Sequence, residues 1–333
     1  MPEAAYRAQK REAVVRALTK AGVDAEVTEI VAVPPGTRRR AVFKIAKRGG
    51  EADVGFHALK SHAIVDMREC LVLTPGLFAL AGALRGMATA LFARGQTAEA
   101  HATEADNGND IAFRAPMKLT VELTSALAKA APALNAARIV WNGALAFERA
   151  APVVHFGKVA VKLPPESFLQ PTREGEEALR SRVLVAVKGA KSIADLFCGT
   201  GTFSLALAEQ GKVLAVEREQ AMLDALAAAA KATQGMKPVT TQRRDLFKLP
   251  LTPLELSKFD AVVLDPPRAG AETQARQLAR SKVARLAYVS CDASSFARDA
   301  RILTDGGYRI GPVTPVDQFL WSSHIELVAA FER

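Results

Sequence analysis

The stretch "IADLFCGTGTFSLALA" (193–208) decides the fold prediction. It has the pattern of a buried strand, a short turn and a helix, and the turn contains Gly199 and Gly201. Glycine lets a backbone turn tightly and approach a ligand closely. Asp195 precedes the turn, and the next strand, "VLAVEREQ" (213–220), carries Glu217, placed to accept bonds from both hydroxyls of a ribose. An ordinary turn is the alternative interpretation.

From Pro164-Pro165 onward, helical and extended segments alternate. Such alternation predicts an α/β fold of Rossmann-like type, with a mostly parallel sheet and helices on both faces. Right-handed crossovers place the loops that follow the strands along one edge, where ligands bind. We therefore predict a catalytic domain over 164–333, preceded by a smaller α+β RNA-binding domain over 1–163. The predicted helices are 173–188, 203–210, 219–232, 272–280 and 294–304, and the predicted strands are 192–197, 212–217, 259–264 and 285–290.

The composition narrows the class of protein. The chain has 333 residues, 49% of them hydrophobic, and a net charge of +9, which suits a polyanionic partner. Three cysteines without a CxxC pair predict no disulfide framework and fit a reducing, cytoplasmic compartment. The apolar run 77–95 contains Arg85 and Arg94, so it predicts a core helix and no membrane association. We expect a monomer.

A basic hairpin is predicted over "TRRRAVFKIAKRGGEADVGFHAL" (37–59), with its turn at Gly49-Gly50. One interpretation is a solvated hairpin face. The other is a surface that contacts RNA phosphates, because cations on a polyanion gain free energy by counterion release. The residues assigned to RNA binding are Arg38, Arg39, Arg40, Lys44 and Lys47, together with Arg268 from a later loop.

The segment "KFDAVVLDPPRAG" (258–270) indicates which ligand the sheet binds. Two prolines after Asp265 force a stiff extended loop at the ligand edge. The D-x-F-x-G-x-G turn, the later acid and this DPP loop resemble class I S-adenosylmethionine (SAM) methyltransferases. The rival is a nicotinamide dehydrogenase, which has no use for such a loop. Ser204, where a dinucleotide fingerprint has its third glycine, also departs from that rival.

The strand "RLAYVSCDASSF" ends in Cys291 on the same sheet edge as Asp265. A single cysteine is often a small buried apolar residue. A thiolate here would instead activate a uracil ring by adding to C6, so that C5 can attack a sulfonium methyl group. A base must then remove the C5 proton, and Glu326, two residues after His324 in the last predicted strand, is the candidate. The alternative for Glu326 is an exposed position on an edge strand.

With these residues assembled, the sequence resembles the RNA uracil-C5-methyltransferase family, whose members make 5-methyluridine in ribosomal or transfer RNA. The resemblance rests on "FLQPTREGEEAL", "DLFCGTGTFSLALA", "DPPRAG", "YVSCDASSFARD" and "VDQFLWSSHIELV", which occur in the family order. It implies that Cys291 is the nucleophile and Glu326 the general base. It also implies methyl-donor contacts from Gln170, Phe197, Glu217, Asp245 and Asp265, in addition to the turn glycines Gly199 and Gly201. Asp292-Ala293 replaces the family's usual Asn-Pro.

Many family members hold an iron–sulfur cluster with four cysteines. Cys70, in "IVDMRECLVL" (64–73), resembles the fourth ligand, and counterparts of the other three are absent from this sequence. One cysteine cannot hold such a cluster. We therefore expect SAM as the cofactor, no iron–sulfur cluster and no other metal. Either this is a cluster-free branch, or a leading module precedes Met1 in the natural protein.

The sequence thus predicts SAM-dependent methylation of uracil C5 in structured RNA, with ribosomal RNA favoured over transfer RNA. An RNA cytosine-C5-methyltransferase is the nearest alternative, but such enzymes usually carry a second cysteine where this chain has Arg268. An amino-methylating enzyme would leave Cys291 and Glu326 without a role. An inactive RNA-binding module would do the same.

Overall fold

The computed structural model describes residues 2–58 and 61–333. The chain forms two compact units. The large-sheet unit consists of the described residues up to Val33, Phe156–Val161 and Glu174–Arg333. The central unit consists of Pro34–His155 and Lys162–Arg173. In the described part of the chain, no helix combines the length and the hydropathy that a membrane span needs.

The helices, in chain order, are α1 (Glu3–Lys20), α2 (Pro75–Leu91), α3 (Val121–Ala130), α4 (Arg173–Ala186), α5 (Ser204–Leu207), α6 (Gln220–Ala232), α7 (Pro253–Leu256), α8 (Glu272–Ala279) and α9 (Ala293–Asp305). The strands are β1 (Val31–Ala32), β2 (Arg40–Ala46), β3 (Asp53–His57), β4 (Ile64–Asp66), β5 (Thr97–Ala105), β6 (Gly108–Arg114), β7 (Ala136–Trp141), β8 (Ala144–Glu148), β9 (Val153–Phe156), β10 (Val159–Lys162), β11 (Ser192–Leu196), β12 (Lys212–Glu217), β13 (Val239–Arg243), β14 (Ala261–Leu264), β15 (Arg285–Ser290), β16 (Arg309–Ile310), β17 (Thr314–Asp317) and β18 (Glu326–Glu332).

The large-sheet unit has the strand order β1-β17-β18-β15-β14-β11-β12-β13, with β16 pairing beside β18. Strands β11 to β15 pair in parallel, whereas β18 runs antiparallel to β15 and β17. All four residues of β14 are buried, as expected where helices cover both faces of a sheet. The predicted Rossmann-like α/β architecture is therefore confirmed.

Several strands of this sheet differ from the prediction, because β1, β13, β16 and β17 were not predicted. β13 (Val239–Arg243) lies at the sheet edge and was not predicted, because its sequence, VTTQR, lacks the apolar pattern of the inner strands. β18 is an inner strand, so the alternative of an exposed edge strand for Glu326 is wrong. His324 precedes β18 and is exposed, so it does not share a strand face with Glu326.

The division of the chain also differs from the predicted boundary between residues 163 and 164. Residues 2–33 belong with the large sheet, because β1 pairs with β17 and Val14 and Leu18 of α1 lie in that unit's core. Residues 162–173 belong with the central unit. A second Pro-Pro signal, Pro34-Pro35, marks the point at which the central unit begins.

The central unit is an α+β structure. Its sheet has the order β4-β3-β2-β5-β6-β7-β8 and is antiparallel except for the β6–β7 pair. The predicted basic hairpin is present as β2 and β3, with Lys44 paired to Gly55. The last predicted residue, Leu59, lies outside the described residues. The core of this unit contains the apolar side of α2, including Leu77 and Leu84.

Candidate active site

The turn after β11 has a backbone that glycine makes accessible. Gly199 has φ of 54° and Gly201 has φ of 100°. A Cβ on Gly201 would lie 2.3 Å from Cδ1 of Leu226, so this glycine permits close packing of the turn on α6. A Cβ on Gly199 would meet no atom within 4 Å. The turn is therefore packed on one side and open to a ligand on the Gly199 side.

Buried polar atoms lie behind this turn. Asp195 is buried, and Ser204 Oγ donates to its Oδ2 atom at 2.5 Å. Burial raises the pKa of Asp195 to about 7, and the charge of Glu217 acts in the same direction. The Asp195 Oδ1 and Thr200 Oγ1 atoms are buried without a hydrogen-bond partner in the described chain. Ser204, which replaces the third glycine of a dinucleotide fingerprint, thus has a defined role as a partner of Asp195.

Glu217 ends β12 beside the same turn. Its Oε2 atom accepts from the Gly199 amide at 3.2 Å, and its Oε1 atom accepts from the Arg218 and Glu219 amides at 2.7 and 3.2 Å. These bonds fix the carboxylate. Each of its oxygens still has acceptor capacity for a hydroxyl group.

Two aromatic rings lie near the turn. Phe197 has a positive φ of 64°, and its ring centroid is 5.4 Å from that of Phe247. Phe247 is 44% exposed, and its amide donates to Asp245 Oδ1 at 3.1 Å. The sequence prediction did not include Phe247, although it follows Asp245 by only two residues. A fixed carboxylate, an open glycine turn and a partly exposed ring pair fit a nucleoside-containing ligand such as SAM.

The DPP loop begins where β14 ends. The Asp265 amide donates to the Leu196 carbonyl at 3.3 Å, which ties the loop to the end of β11. The Gly270 amide donates to the Pro267 carbonyl at 2.8 Å and closes the loop. Arg268 is largely exposed, with its Nη2 atom 4.0 Å from Asp292 Oδ2. The Asp265 carboxyl raises the pKa values of both Cys291 and Glu326, so it lies close enough to act on both.

Cys291 and Glu326 come together because β15 and β18 are antiparallel neighbours. The pairing runs from Arg285 with Glu332 to Ser290 with Leu327. The next position on each chain is Cys291 and Glu326, respectively. The register therefore places the thiol opposite the carboxyl group at the end of the sheet where the DPP loop begins.

The environment raises the pKa of both groups. Cys291 is half-buried, and burial, followed by the charges of Glu326 and Asp265, raises the pKa of its thiol to about 12. The charge of Arg268 lowers it. Glu326 is 3% exposed, and burial, followed by the charge of Asp265, raises its pKa to about 8. A carboxyl group whose pKa lies near neutral pH is suited to general-base catalysis.

Gln318 is a site residue that the sequence prediction missed. It is buried, and its side chain donates a hydrogen bond to Glu326 that partly offsets the raised pKa. The sequence "VDQFLW" indicates such a residue, because the polar pair Asp317-Gln318 interrupts an apolar segment shortly before Glu326. Its amide orients the carboxyl group from the neighbouring chain segment.

Asp292, beside the thiol, caps the next helix. Its Oδ1 atom accepts from the amides of Ser294 and Ser295 at 3.1 and 2.9 Å, at the start of α9. These are the bonds of an N-cap residue. The aspartate at this position thus replaces the family's usual asparagine without loss of the cap.

The remaining predicted site residues lie in the central unit. Gln170 is buried there, and its backbone carbonyl accepts from Arg39 Nε at 3.1 Å. Arg39 is only 2% exposed, and its contact with RNA stays a prediction. Arg38 donates to the Arg40 carbonyl, and Arg40 stacks on Phe168 with 5.0 Å from Cζ to the ring centroid.

The two lysines of the basic hairpin line a cavity of about 580 Å³ in the central unit. Lys44 pairs with Glu99, and Lys47 donates to the Thr89 carbonyl. Arg48 and Arg114 also line the cavity. RNA binding by the remaining basic residues stays a prediction.

The sequence predicts no iron–sulfur cluster and no other metal. Within residues 2–58 and 61–333, no group of three or more His, Cys, Asp and Glu side chains is arranged to hold a metal ion. Cys70 is half-buried and packs against the core of the central unit.

Comparisons with known proteins give the family. A family model described as tRNA (uracil-5-)-methyltransferase matches residues 153–333. An uncharacterized RNA methyltransferase of Brucella suis is 45% identical over 328 residues, which cover 98% of this chain and 79% of that protein. The 23S rRNA (uracil(1939)-C(5))-methyltransferase RlmD of Shewanella halifaxensis is 30% identical over 305 residues, covering 89% of this chain and 68% of that protein.

Among solved structures, the tRNA (uracil-54, C5)-methyltransferase of Pyrococcus abyssi, in complex with S-adenosyl-L-homocysteine, matches with a TM-score of 0.77. The identity is 22%, and the match covers 99% of this chain and 84% of that chain, which shows the shared fold. The open Gly199 turn and Glu217 fit the SAM that this family uses. The chain belongs to the tRNA (uracil-5-)-methyltransferase family of SAM-dependent RNA methyltransferases.

Proposed function

We propose that this protein methylates C5 of a uridine in structured RNA through a covalent bond between Cys291 and C6, with Glu326 as the base that removes the C5 proton. The observation that carries this proposal is the β15–β18 register, which sets the thiol opposite a buried carboxyl group whose pKa lies near 8. A cysteine that served only for packing would need no such partner.

The proposed reaction begins at the thiol. Its proton passes to water, the sulfur bonds to C6, and the C5–C6 π electrons move into an enolate at C4. C5 then bonds to the methyl carbon of the donor, whose carbon–sulfur bond breaks. Glu326 takes the proton from C5, the C5–C6 double bond re-forms, and the C6–sulfur bond breaks to return the Cys291 thiolate. The protonated carboxyl group finally releases its proton to water.

The charges of the site control the ionisation of Cys291 and Glu326. Burial and two neighbouring carboxyl groups keep the Cys291 thiol protonated in the free protein. SAM, when bound, supplies an electrophilic methyl group on a positively charged sulfonium. A positive charge near Cys291 and Glu326 favours the thiolate and the carboxylate. Arg268 acts in the same direction on Cys291. A bound positive charge would therefore shift Cys291 and Glu326 toward the ionised forms that the proposed reaction uses.

The donor would be held by the open turn of Gly199 and Gly201, by Glu217 through the ribose hydroxyls, and by the rings of Phe197 and Phe247. Asp245 would hold Phe247 in place through its amide. The roles of Asp265 as a frame of the pocket and of Gln170 as a donor contact stay predictions from the family resemblance.

We propose ribosomal RNA as the substrate, with transfer RNA as the second candidate. Support comes from the 30% identity to a 23S rRNA methyltransferase over 89% of this chain, whereas the transfer RNA enzyme of known structure supports the fold alone. The target base must leave its stack to reach Cys291. Single-stranded loops are suited to this, and the basic hairpin with Lys44 and Lys47 would contact their backbone.

The test uses RNA that carries 5-fluorouridine. Fluorine cannot leave as a proton, so the covalent adduct accumulates and runs as a shifted band on a denaturing gel. We expect wild-type protein with SAM to form the adduct with 23S rRNA transcripts more efficiently than with tRNA transcripts. Cys291→Ala should form none, whereas Cys70→Ala, a matched cysteine control in the central unit, should form it normally.

Two results would contradict the proposal. An adduct that still forms in Cys291→Ala would mean that another residue is the nucleophile. An adduct with 5-fluorocytidine RNA, and none with 5-fluorouridine RNA, would favour the cytosine-C5-methyltransferase.

A further inference from the structure

Helix α1 contacts the chain segment that leads into the proposed base. Lys10 Nζ donates to Asp317 Oδ1 at 2.5 Å, to the Phe319 carbonyl at 3.1 Å and to the His324 carbonyl at 2.8 Å. The three N–H groups of one ammonium thus hold both ends of the segment 317–325, which directly precedes Glu326. All of these residues belong to the large-sheet unit.

A second residue of α1 strengthens this contact. Tyr6 donates from its hydroxyl to Asp317 Oδ2 at 2.7 Å and accepts from the Trp321 amide at 2.9 Å. Asp317 therefore binds Tyr6 and Lys10 with its two carboxylate oxygens. The hydroxyl and the ammonium together fix the start, the middle and the end of the segment.

The segment is coupled to the proposed base at two points. Val316, at the end of β17, pairs with Glu326 across the sheet. Gln318, next to Asp317, donates to the Glu326 carboxyl group. A change in the position of Asp317 therefore moves both a backbone neighbour and a side-chain partner of Glu326.

The Lys10–Asp317 pair is buried, which is costly. Lys10 is 6% exposed and Asp317 is 0% exposed. Burial lowers the pKa of Lys10, and the bond to Asp317 opposes this effect. A buried ion pair often adds no more stability than apolar packing of similar volume. The three hydrogen bonds of the Lys10 ammonium constrain the geometry of the segment 317–325. Helix α1 already has apolar anchors in Val14 and Leu18, so its attachment does not require a buried charge.

We propose that Lys10 is a positioning residue for Glu326: it fixes the segment 317–325, and through Gln318 the carboxyl group, in the orientation that removes the C5 proton. This inference rests on the proposed function of Cys291 and Glu326. Proton removal follows adduct formation, so a misplaced base leaves the first step intact and slows the last one.

The test compares Lys10→Met with Arg11→Met. Lys10→Met keeps the length of the side chain and removes the ammonium. Arg11 lies on the same helix, and its guanidinium holds the Val27 carbonyl at 3.0 Å, away from the segment 317–325. A positional error of about 1 Å can cost about 100-fold in rate. For Lys10→Met we expect turnover to fall by about ten- to hundredfold. Adduct formation with 5-fluorouridine RNA should stay at the wild-type level.

The distinguishing readout uses ordinary uridine RNA. Lys10→Met should accumulate the covalent, methylated intermediate on a denaturing gel, as Glu326→Gln should, whereas Arg11→Met should not. Parallel losses of turnover and 5-fluorouridine adduct in Lys10→Met would overturn the inference. So would normal turnover in Lys10→Met. Failure of wild-type protein to form the 5-fluorouridine adduct would instead refute the proposed function itself.

A milder variant keeps the test decisive if Lys10→Met does not fold. Tyr6→Phe removes only the hydroxyl that bonds to Asp317 and to the Trp321 amide. Accumulation of the uridine adduct in Tyr6→Phe supports the inference. A partition between adduct and product equal to that of wild type overturns it.

Discussion

Replacing Glu326 with glutamine should make the free energy of unfolding less sensitive to a rise in pH through the neutral range. Burial raises the pKa of Glu326 from its ordinary value of 4.5 to about 8. Between these two values the folded protein holds a proton on Glu326 that the unfolded chain has lost. The folded state then binds more protons than the unfolded state, so stability falls as the pH rises, by about 1.4 kcal/mol per pH unit. Glutamine has no proton to lose and removes this slope.

The expected magnitude follows from the two pKa values. Between about pH 5.5 and about pH 7.5, the free energy of unfolding of wild type should fall relative to Glu326→Gln by between about 2 and 3 kcal/mol. The assay is urea unfolding of both proteins, without SAM or RNA, at the two pH values. Other titrating groups cancel, because they are common to both proteins.

A matched control lies on the same strand. Val328 is buried in β18 and carries no titratable group, so Val328→Ala should lower the free energy of unfolding equally at both pH values. A difference between wild type and Glu326→Gln that stays constant across this pH range would refute the reasoning. It would mean that Glu326 is ionised in the folded protein throughout, and that burial does not prepare it as a base near neutral pH.

Three further substitutions test other parts of the site. Gly201→Ala should destabilise the protein by about 1–3 kcal/mol in urea unfolding, because its Cβ would lie 2.3 Å from Leu226 Cδ1 at a φ of 100°. Phe247→Ala should weaken SAM binding in calorimetry by about 1 kcal/mol through loss of the ring pair with Phe197, without lowering the melting temperature. Asp292→Ala should cost about 1 kcal/mol of stability through the lost cap of α9, with the 5-fluorouridine adduct still formed.

Each of these substitutions has a control or a contrary outcome. Gly82→Ala, on the exposed side of α2 with no atom within 4 Å of its Cβ, is the control for Gly201→Ala and should be neutral or stabilising. Unchanged SAM affinity in Phe247→Ala would mean that the Phe247 ring does not contact the donor. Loss of the adduct in Asp292→Ala, restored by the capping variant Asp292→Asn, would show that the cap also shapes the thiol loop.

The local parts of the site could be predicted because single residue types determine them. The positive φ values of Gly199 and Gly201 and the proline pair after Asp265 are properties of those residues, and they appear in the structure where the sequence indicates them. Cys291 at the tip of β15 is equally local. The meeting of Cys291 and Glu326 is different. It depends on β18 entering the sheet antiparallel between β15 and β17, which no local pattern specifies.

Side-chain partners far apart in the sequence could not be predicted. The helical pattern of α1 does not show that Lys10 pairs with Asp317, 307 residues away, and the predicted domain over 1–163 therefore included this helix. The burial of Arg39 was missed for a related reason. A run of three arginines is typical of a solvated surface, yet successive side chains of an extended segment such as 38–40 face opposite sides.

The pairing of Lys10 with Asp317 has a consequence for the order of folding during synthesis. A ribosome that adds about 5–20 residues per second needs between about 15 and 60 s to proceed from one to the other. Helices in proteins owe most of their stability to tertiary packing. Throughout that interval α1 lacks its acidic partner, and Pro34–His155 of the central unit is synthesised within it. The central unit can therefore fold first. The sheet that carries Cys291 is completed only when nearly the whole chain has been synthesised.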